Sequence, residues 1–331
     1  MVLARGAMKQ FEEIKKITAI GTGMIGPDVS LCVAMAGYDV TMMGRNDDSV
    51  ARGRARFEKN LKYLVDNGVY NLKEADQING RLQTSINLSD AVAGSDLVVE
   101  AIIEVLEDKQ ALFKSLEDLC SPETILVSST SGLSSNDLAA GLRHRNRAMV
   151  MHFWNPPYAV PLVECVPNDG TSEQTVETCR KWLEHLGKEP VFLKKDTMGH
   201  IGNRLQHALL RECFHLIQSG VADAQNIDKV FRSCLGPRYA SIGLIEYMET
   251  VGWDLQVKVE SYLLPDLAAD QRPQKILMDL YKAGTWGAKT NSGLYDWANK
   301  SLDEVTARQN SLFLDRVRGW KNNRQGLAIK P

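Results

Sequence analysis

The sequence lacks a marked charge excess and any long apolar run. Lysine and arginine number 39 and aspartate and glutamate 41, for a formal net charge of −2 in 331 residues. Proteins that bind nucleic acid usually concentrate positive charge, so this balance argues against a nucleic-acid partner. No apolar run approaches the ~20 residues that cross a bilayer. We therefore expect no membrane span and no membrane partner.

Cysteine is also scarce, and no cysteine pair has a CxxC spacing. With no cluster of cysteine and histidine, neither a disulfide framework nor a metal site is predicted. The polar residues 1–16 lead directly to the first strand-like run and do not resemble a signal peptide. Free, buried thiols in a reducing cytoplasm are the expected state of the six cysteines: Cys32, Cys120, Cys165, Cys179, Cys213 and Cys234.

A GxGxxG segment at 21–26 lies between a short β-branched strand at 17–20 and an apolar helix near 29–36. A second strand at 38–43 completes a strand–helix–strand unit, the context in which GxGxxG indicates dinucleotide binding. The first glycine permits the tight turn, the second lets the backbone approach a pyrophosphate, and the third allows close helix packing. The predicted cofactor residues here are Gly21, Gly23, Met24, Ile25 and Gly26.

The second strand ends in Gly44-Arg45-Asn46, without the carboxylate that usually accepts hydrogen bonds from the adenosine ribose of NAD. Arg45 is able to pair with a 2′-phosphate, which favours NADP. Asp47 and Asp48 lie close enough in sequence to bind a ribose instead, so NAD stays the alternative.

Strand-like runs continue to about residue 195, and apolar residues then recur at helical spacing. These patterns predict an α/β fold with two domains. An N-terminal Rossmann domain with a largely parallel sheet is expected at 1–195. A mostly α-helical C-terminal domain for substrate binding and dimerisation is expected at 196–331, its apolar stripes favouring a homodimer. The charged tail after Asp296 is expected to be an exposed helix.

Four further segments occur in a fixed order: Ser129-Thr130-Ser131, His152-Phe153-Trp154-Asn155-Pro156, Leu162-Val163-Glu164 and Gly199-His200-Ile201-Gly202-Asn203-Arg204. The sequence resembles the 3-hydroxyacyl-CoA dehydrogenase family, which carries T-S, H-F-x-N-P, L-V-E and G-F-I-x-N-R segments in this order. The similarity runs from about Lys16 to Asp296. His200 departs from it, since the family has phenylalanine at that position.

The resemblance implies an NAD(P)-dependent dehydrogenase that interconverts a secondary alcohol and a ketone. It makes His152 the proton-transfer residue and Glu164 its partner, and it assigns the reacting oxygen to Ser131 and Asn203. The chemistry agrees, because imidazole titrates near working pH and a carboxylate on its other nitrogen fixes the tautomer.

The resemblance also includes three further residues: Glu104, Lys109 and Asn155. The resemblance places Glu104 and Lys109 near the nicotinamide end of the cofactor, although a surface ion pair is a rival interpretation. Asn155 is expected at the active site, where its side chain would also brace the turn that presents His152.

The substrate has two candidate classes. The segments around Ser131, Asn155 and Glu164, with Arg238-Tyr239-Ala240, resemble the branch of the family that acts on free hydroxy acids. Arg238 would then bind a substrate carboxylate through two hydrogen bonds. We expect a small 3-hydroxy acid. The alternative is a short 3-hydroxyacyl-CoA such as 3-hydroxybutyryl-CoA, which the segment 287–295 and the basic helix face at 52–62 favour.

Overall fold

The centre of the fold is one eight-stranded sheet in the order β3-β2-β1-β4-β5-β6-β7-β8. The computed structural model describes residues 8–327. All neighbouring strands are parallel except β6 and β7. The predicted, largely parallel Rossmann sheet is confirmed. The strands are β1 Lys16–Ile20, β2 Asp39–Met43, β3 Leu82–Ser85, β4 Leu97–Glu100, β5 Ile125–Ser128, β6 Ala148–Phe153, β7 Leu162–Pro167 and β8 Glu189–Phe192.

Helices cover the sheet, and its inner strands are therefore largely apolar. Leu97, Val98 and Val99 of β4 are fully buried, as expected for a parallel strand with both faces covered. The helices in this part are α1 Gly26–Met35, α2 Asp47–Asp66, α3 Leu72–Gly80, α4 Leu88–Val92, α5 Leu106–Leu119, α6 Ser135–Ala139 and α7 Glu173–His185.

The strand order reverses at β1, which pairs with β2 on one side and with β4 on the other. In open parallel sheets the crevice for ligands lies at such a switch point, outside the carboxyl ends of the strands. The glycine motif after β1 and the segment after β4 both lie there.

The chain separates into two compact units, and the second comprises Gly202–Thr306. This unit is helical, as predicted. Its helices are α8 Gly202–Gln218, α9 Ala224–Val230, α10 Gly236–Ser241, α11 Leu244–Val251, α12 Trp253–Leu263 and α13 Lys275–Lys282, with a π-helical turn at Phe231–Leu235.

Within the described residues, the first unit comprises 8–201 together with 307–327. The expected boundary near 195 therefore moves to 201. The boundary lies later than expected because Asp196 accepts hydrogen bonds from the Ser134 side chain and the Asn136 backbone. These bonds hold the connecting segment against the sheet domain.

The expectation that the tail belongs to the second domain as an exposed helix is wrong. Helix α14, Leu302–Leu327, does form. However, Leu314 and Val317 are buried in the main core of the first unit. Lys321 also donates to the carbonyl of Val69 at 2.8 Å. The stripe Asn310, Leu314, Val317 has helical spacing, so one face of this charged helix packs against the first unit.

No helix within residues 8–327 is both long enough and apolar enough to cross a membrane. The same residues contain no group of three or more His, Cys, Asp or Glu side chains arranged to hold a metal ion.

Candidate active site

A cleft of about 770 Å³ opens at the switch point of the sheet. This volume lies within the ~300–1,000 Å³ typical of cofactor and ligand sites. The residues that line it include four of the five predicted glycine-loop residues, Gly21, Gly23, Met24 and Ile25, and also Arg45, Arg52, Glu104 and Ser131. Gly26 does not line the cleft, because it is buried against the carbonyl of Gly21.

The glycine loop has the geometry that a pyrophosphate requires. Gly21 has φ +121°, and a Cβ on Gly26 would lie 1.8 Å from the Gly21 carbonyl oxygen, so both turn and packing demand glycine. A Cβ on Gly23 would meet nothing within 4 Å. Gly23 therefore leaves the space open for a phosphate to approach the backbone at the start of α1. The residues present fit a dinucleotide.

The end of β2 is closed to an acidic side chain at position 44. A Cβ on Gly44 would lie 2.6 Å from Ser49 Oγ and 2.9 Å from side-chain carbons of Thr22 and Val50. The wall of the cleft is formed there by Arg45, Ser49 and Arg52 instead.

Glu104 and Lys109 occupy different positions relative to the cleft. Glu104 lines it, whereas the Lys109 ammonium is buried behind it, 2.6 Å from Glu100 and 3.3 Å from Glu104. The ion pair of the rival interpretation forms, but it does not lie at the surface on the lysine side, because Lys109 is 1% exposed. Lys109 does not line the cleft itself, and its expected place near the nicotinamide end of the cofactor stays a prediction.

Glu104 holds the loop that follows β5. Its carboxylate accepts hydrogen bonds from Thr130 Oγ1 and from the backbone N–H of Ser131 at 2.8 Å. Burial alone would raise the pKa of Glu104, but these bonds and Lys109 outweigh it and lower the pKa below its ordinary value. An ionised Glu104 thus fixes Ser131 at the cleft.

His152 and Glu164 are cross-strand neighbours in the antiparallel pair β6–β7. His152 Nδ1 lies 3.1 Å from Glu164 Oε2, and both side chains are almost fully buried. An ionised carboxylate only accepts, so this contact favours the neutral tautomer with the hydrogen on Nδ1 and the lone pair on Nε2. A general base needs that tautomer.

Sequence reasoning missed Trp154, two residues after His152. Its indole Nε1 donates to Glu164 Oε2 at 3.1 Å, and its ring centroid lies 5.3 Å from that of His152. Glu164 Oε1 accepts from the Ile201 backbone N–H at 2.8 Å. The available signal was the strand period of two, which places residues 152 and 154 on one face.

His200 also lies against the pair, with its ring centroid 5.5 Å from that of His152. It is fully buried, and neither ring nitrogen reaches a hydrogen-bond partner in the described residues. Burial and the neighbouring His152 lower its pKa, against the opposing charges of Glu164 and Asp196. At neutral pH this ring is therefore uncharged.

The remaining predicted residues lie apart from this pair or in the second unit. Asn155 is exposed and precedes a cis peptide bond to Pro156. Its side chain makes no hydrogen bond among residues 8–327, so it does not brace the turn as expected. Asn203 lies in the first turn of α8. Arg238 lies in α10, with its guanidinium carbon 4.6 Å from the ring centroid of Tyr247.

Comparison with known proteins identifies both parts of the chain. Residues 16–197 match the 3-hydroxyacyl-CoA dehydrogenase NAD-binding domain, and residues 199–297 match the C-terminal domain of the same family. The chain thus carries an NAD-binding domain.

Two curated relatives span nearly the whole chain. A 5-formyl-3-hydroxy-2-methylpyridine 4-carboxylate 5-dehydrogenase of Mesorhizobium japonicum is 29% identical over 89% of this chain and 96% of its own. A probable 3-hydroxybutyryl-CoA dehydrogenase of Bacillus subtilis is 31% identical over 87% of this chain and 99% of its own.

Among solved structures, a 5-formyl-3-hydroxy-2-methylpyridine 4-carboxylic acid 5-dehydrogenase, an NAD⁺-dependent dismutase, superposes with a TM-score of 0.80. It is 27% identical and the match covers 96% of this chain and 100% of that one. With both domain matches, these similarities show that the chain is an oxidoreductase of CH–OH groups that belongs to the 3-hydroxyacyl-CoA dehydrogenase family.

Proposed function

We propose that this enzyme interconverts a 3-hydroxy acid and its 3-keto acid, with the His152–Glu164 pair moving the proton of the hydroxyl group. The observation that carries the proposal is the buried 3.1 Å contact between His152 Nδ1 and Glu164 Oε2. A bound nicotinamide cofactor supplies the hydride chemistry. His152 Nε2 takes the hydroxyl proton during oxidation and returns it during reduction.

Glu164 and the oxygen-binding groups have separate roles in this proposal. Glu164 orients the imidazole and stabilises the imidazolium that forms when His152 is protonated. Ser131 and Asn203 hold the reacting oxygen as neutral donors, which stabilise negative charge without adding a full positive one. The bond from the Ser131 backbone to Glu104 supports this role, because it fixes the loop.

A free carboxylic acid is the proposed substrate, and Arg238 its proposed recognition residue. A planar guanidinium binds a carboxylate at two points, which a thioester oxygen cannot match. The cation–π contact with Tyr247 supports the proposal, because it orients the guanidinium. The carboxylate in the name of the Mesorhizobium relative favours this class, and the Bacillus relative favours a 3-hydroxyacyl-CoA as the second candidate.

For the cofactor we propose NADP over NAD. Arg45 and Arg52 line the cleft at the end of β2, where position 44 has no room for a carboxylate. Two guanidinium groups there favour a 2′-phosphate over a bare ribose hydroxyl. The NAD⁺ dependence of the structural relative makes NAD the alternative.

Two wider expectations remain proposals. We propose that two copies associate through the helical second unit, which presents exposed apolar side chains. We also place the enzyme in the cytoplasm, since all six cysteines are free thiols in the structure.

A substrate panel tests the reaction and its alternative together. Free 3-hydroxy acids and short 3-hydroxyacyl-CoA thioesters are each assayed with NAD and with NADP. Turnover of a free acid, lost on Arg238→Lys because Lys lacks the two-point geometry, supports the proposal. Turnover of thioesters alone overturns the free-acid class.

Arg45→Ala tests the cofactor proposal. The substitution should weaken the binding of NADP more than the binding of NAD, and an equal loss of affinity for both contradicts the proposal.

The catalytic pair is tested with His152→Ala and Glu164→Gln. Each should lower kcat by roughly 10²–10⁴-fold, because general acid–base catalysis contributes about that much. Cofactor affinity, measured by fluorescence titration, should change little. The double variant should be scarcely worse than the worse single one, since the two residues act as a unit. Wild-type turnover in either single variant would exclude this mechanism.

A further inference from the structure

The carboxylate of Glu164 is shared between two side chains, and only one of them belongs to the proposed catalytic pair. His152 Nδ1 and Trp154 Nε1 both lie 3.1 Å from the same oxygen, Oε2. Trp154 is half-buried and its ring is tilted by 49° against the imidazole. The three groups thus form a closed triangle of two hydrogen bonds and one ring contact.

We propose that Trp154 is a positioning residue that sets how strongly Glu164 holds the proton on His152. This inference rests on the proposed acid–base role of the pair and assigns it a third member. Because an indole N–H donates but never accepts, its bond to Oε2 requires a carboxylate that stays an acceptor throughout the reaction.

The effect on the imidazole follows from competition for one oxygen. When His152 takes the hydroxyl proton, its bond to Glu164 becomes charge-assisted and stronger. The indole N–H already neutralises part of the negative charge on Oε2, so the imidazolium gains less than it would from an unshared carboxylate. Loss of the indole bond should therefore strengthen the hold of Glu164 on the protonated imidazole.

The indole also restricts movement. Glu164 contacts His152 and Trp154 at Oε2 and the Ile201 backbone N–H at Oε1, so the indole adds a further restraint on the terminal torsion of the carboxylate. The imidazole plane follows the carboxylate. Loss of the indole bond should therefore lower kcat, because the orientation of the base contributes to the rate.

Trp154→Phe tests the proposal, since it removes the N–H and keeps an aromatic face for the ring contact. We expect kcat to fall about 3- to 10-fold. The acid limb of kcat/KM for alcohol oxidation should move about 0.5 to 1 pH unit higher, because the imidazolium is better stabilised and the base is lost sooner on acidification. Cofactor affinity should stay within about twofold.

Trp182→Phe is the matched control. Trp182 is fully buried in α7, and its indole nitrogen has no hydrogen-bond partner in the described residues. The same atoms are removed there without loss of a bond, so stability falls while the acid limb stays in place. An unmoved acid limb in Trp154→Phe, or an equal shift in Trp182→Phe, overturns the inference.

A measurement on folded wild-type enzyme covers the case in which Trp154→Phe does not fold. The chain has six tryptophans, and their ¹⁵N-labelled indole groups give separate N–H signals. One signal should follow pH with the midpoint of the kinetic acid limb and should move in both His152→Ala and Glu164→Gln. If no indole signal responds, the contact is absent. Full turnover by His152→Ala would instead reject the proposed function, whatever the indole signals show.

Discussion

His200 combines two features that each cost stability. Its backbone has φ +51°, a left-handed conformation that is uncommon outside glycine. Its buried ring nitrogens also lack hydrogen-bond partners in the described part of the chain, and such groups normally cost free energy. The family has phenylalanine at this position, so histidine adds a proton-binding site to the core beside the proposed catalytic pair.

The lowered pKa of His200 predicts a loss of stability in acid. Burial and His152 depress the pKa in the folded chain, so the unfolded chain binds the proton more tightly. The stability contribution is therefore full above about pH 6.5 and is lost as the pH falls toward the folded-state pKa. Between pH 7.5 and pH 5.5, or thereabouts, the Tm of wild type should fall more than that of His200→Phe.

The comparison needs a control because His185 contributes in the same direction. Burial and Arg324 lower the pKa of His185, and this effect is present in every variant. His144→Phe removes an exposed histidine instead and should keep the wild-type dependence on pH. Parallel Tm curves for wild type and His200→Phe would contradict the assignment of the acid effect to His200.

At the residue scale, the sequence was informative where the backbone conformation or its packing allows only one residue type. Gly21 and Gly26 were predictable because the turn and the helix packing exclude a Cβ. The partnership of His152 and Glu164 came from the family resemblance. The strand period of two could have indicated Trp154 as a neighbour of His152, but its hydrogen bond to Glu164 is visible only in the structure.

At the scale of elements, the sheet could be predicted only in part. The apolar strands β1 and β2 were identified from the sequence, and further strand-like runs were expected up to about residue 195. Strand β3, with the sequence LQTS, and strand β8, Glu189–Phe192, have no apolar pattern strong enough to separate them from loops. Strand β7 was recognised only as a motif, although its antiparallel register with β6 is what brings Glu164 to His152.

Helix α14 shows why composition misled. Its many charged residues predicted an exposed tail. However, burial of a helix face depends on the spacing of a few apolar residues and not on the average composition of the helix. Leu312 is 81% exposed and Leu314 is 3% exposed, two positions apart on the same helix. The pair therefore offers an internal test of whether α14 is part of the first unit.

Leu314→Ala should lower the free energy of unfolding by about 2–4 kcal/mol, because a fully buried leucine leaves a cavity. Leu312→Ala should change it by less than about 0.5 kcal/mol, since an exposed side chain loses few contacts. Urea denaturation followed by circular dichroism measures both. Equal effects of the two variants would show that α14 does not pack against the core through Leu314.

At the scale of the whole molecule, the two units differ in how much apolar surface they bury. The buried apolar residues of the described chain all belong to the first unit, and none lies in Gly202–Thr306. The second unit instead exposes large apolar side chains along several helices, among them Ile245 in α11 and Leu255 and Val257 in α12. Helical periodicity predicted these stripes, but sequence alone could not tell which of them would lack a partner.

A second copy of the chain is the proposed cover for this surface, because large exposed apolar side chains that lie together mark association sites. Sedimentation at micromolar concentration should give twice the chain mass of 36.8 kDa. Leu255→Asp should shift the species toward the monomer and lower the Tm, since it buries an unpaired charge in the interface. Leu312→Asp makes the same chemical change on α14, outside the second unit, and should stay dimeric. A wild-type enzyme that sediments as a monomer at every concentration would refute the homodimer, and a dimer that Leu255→Asp leaves intact would exclude α12 from its interface.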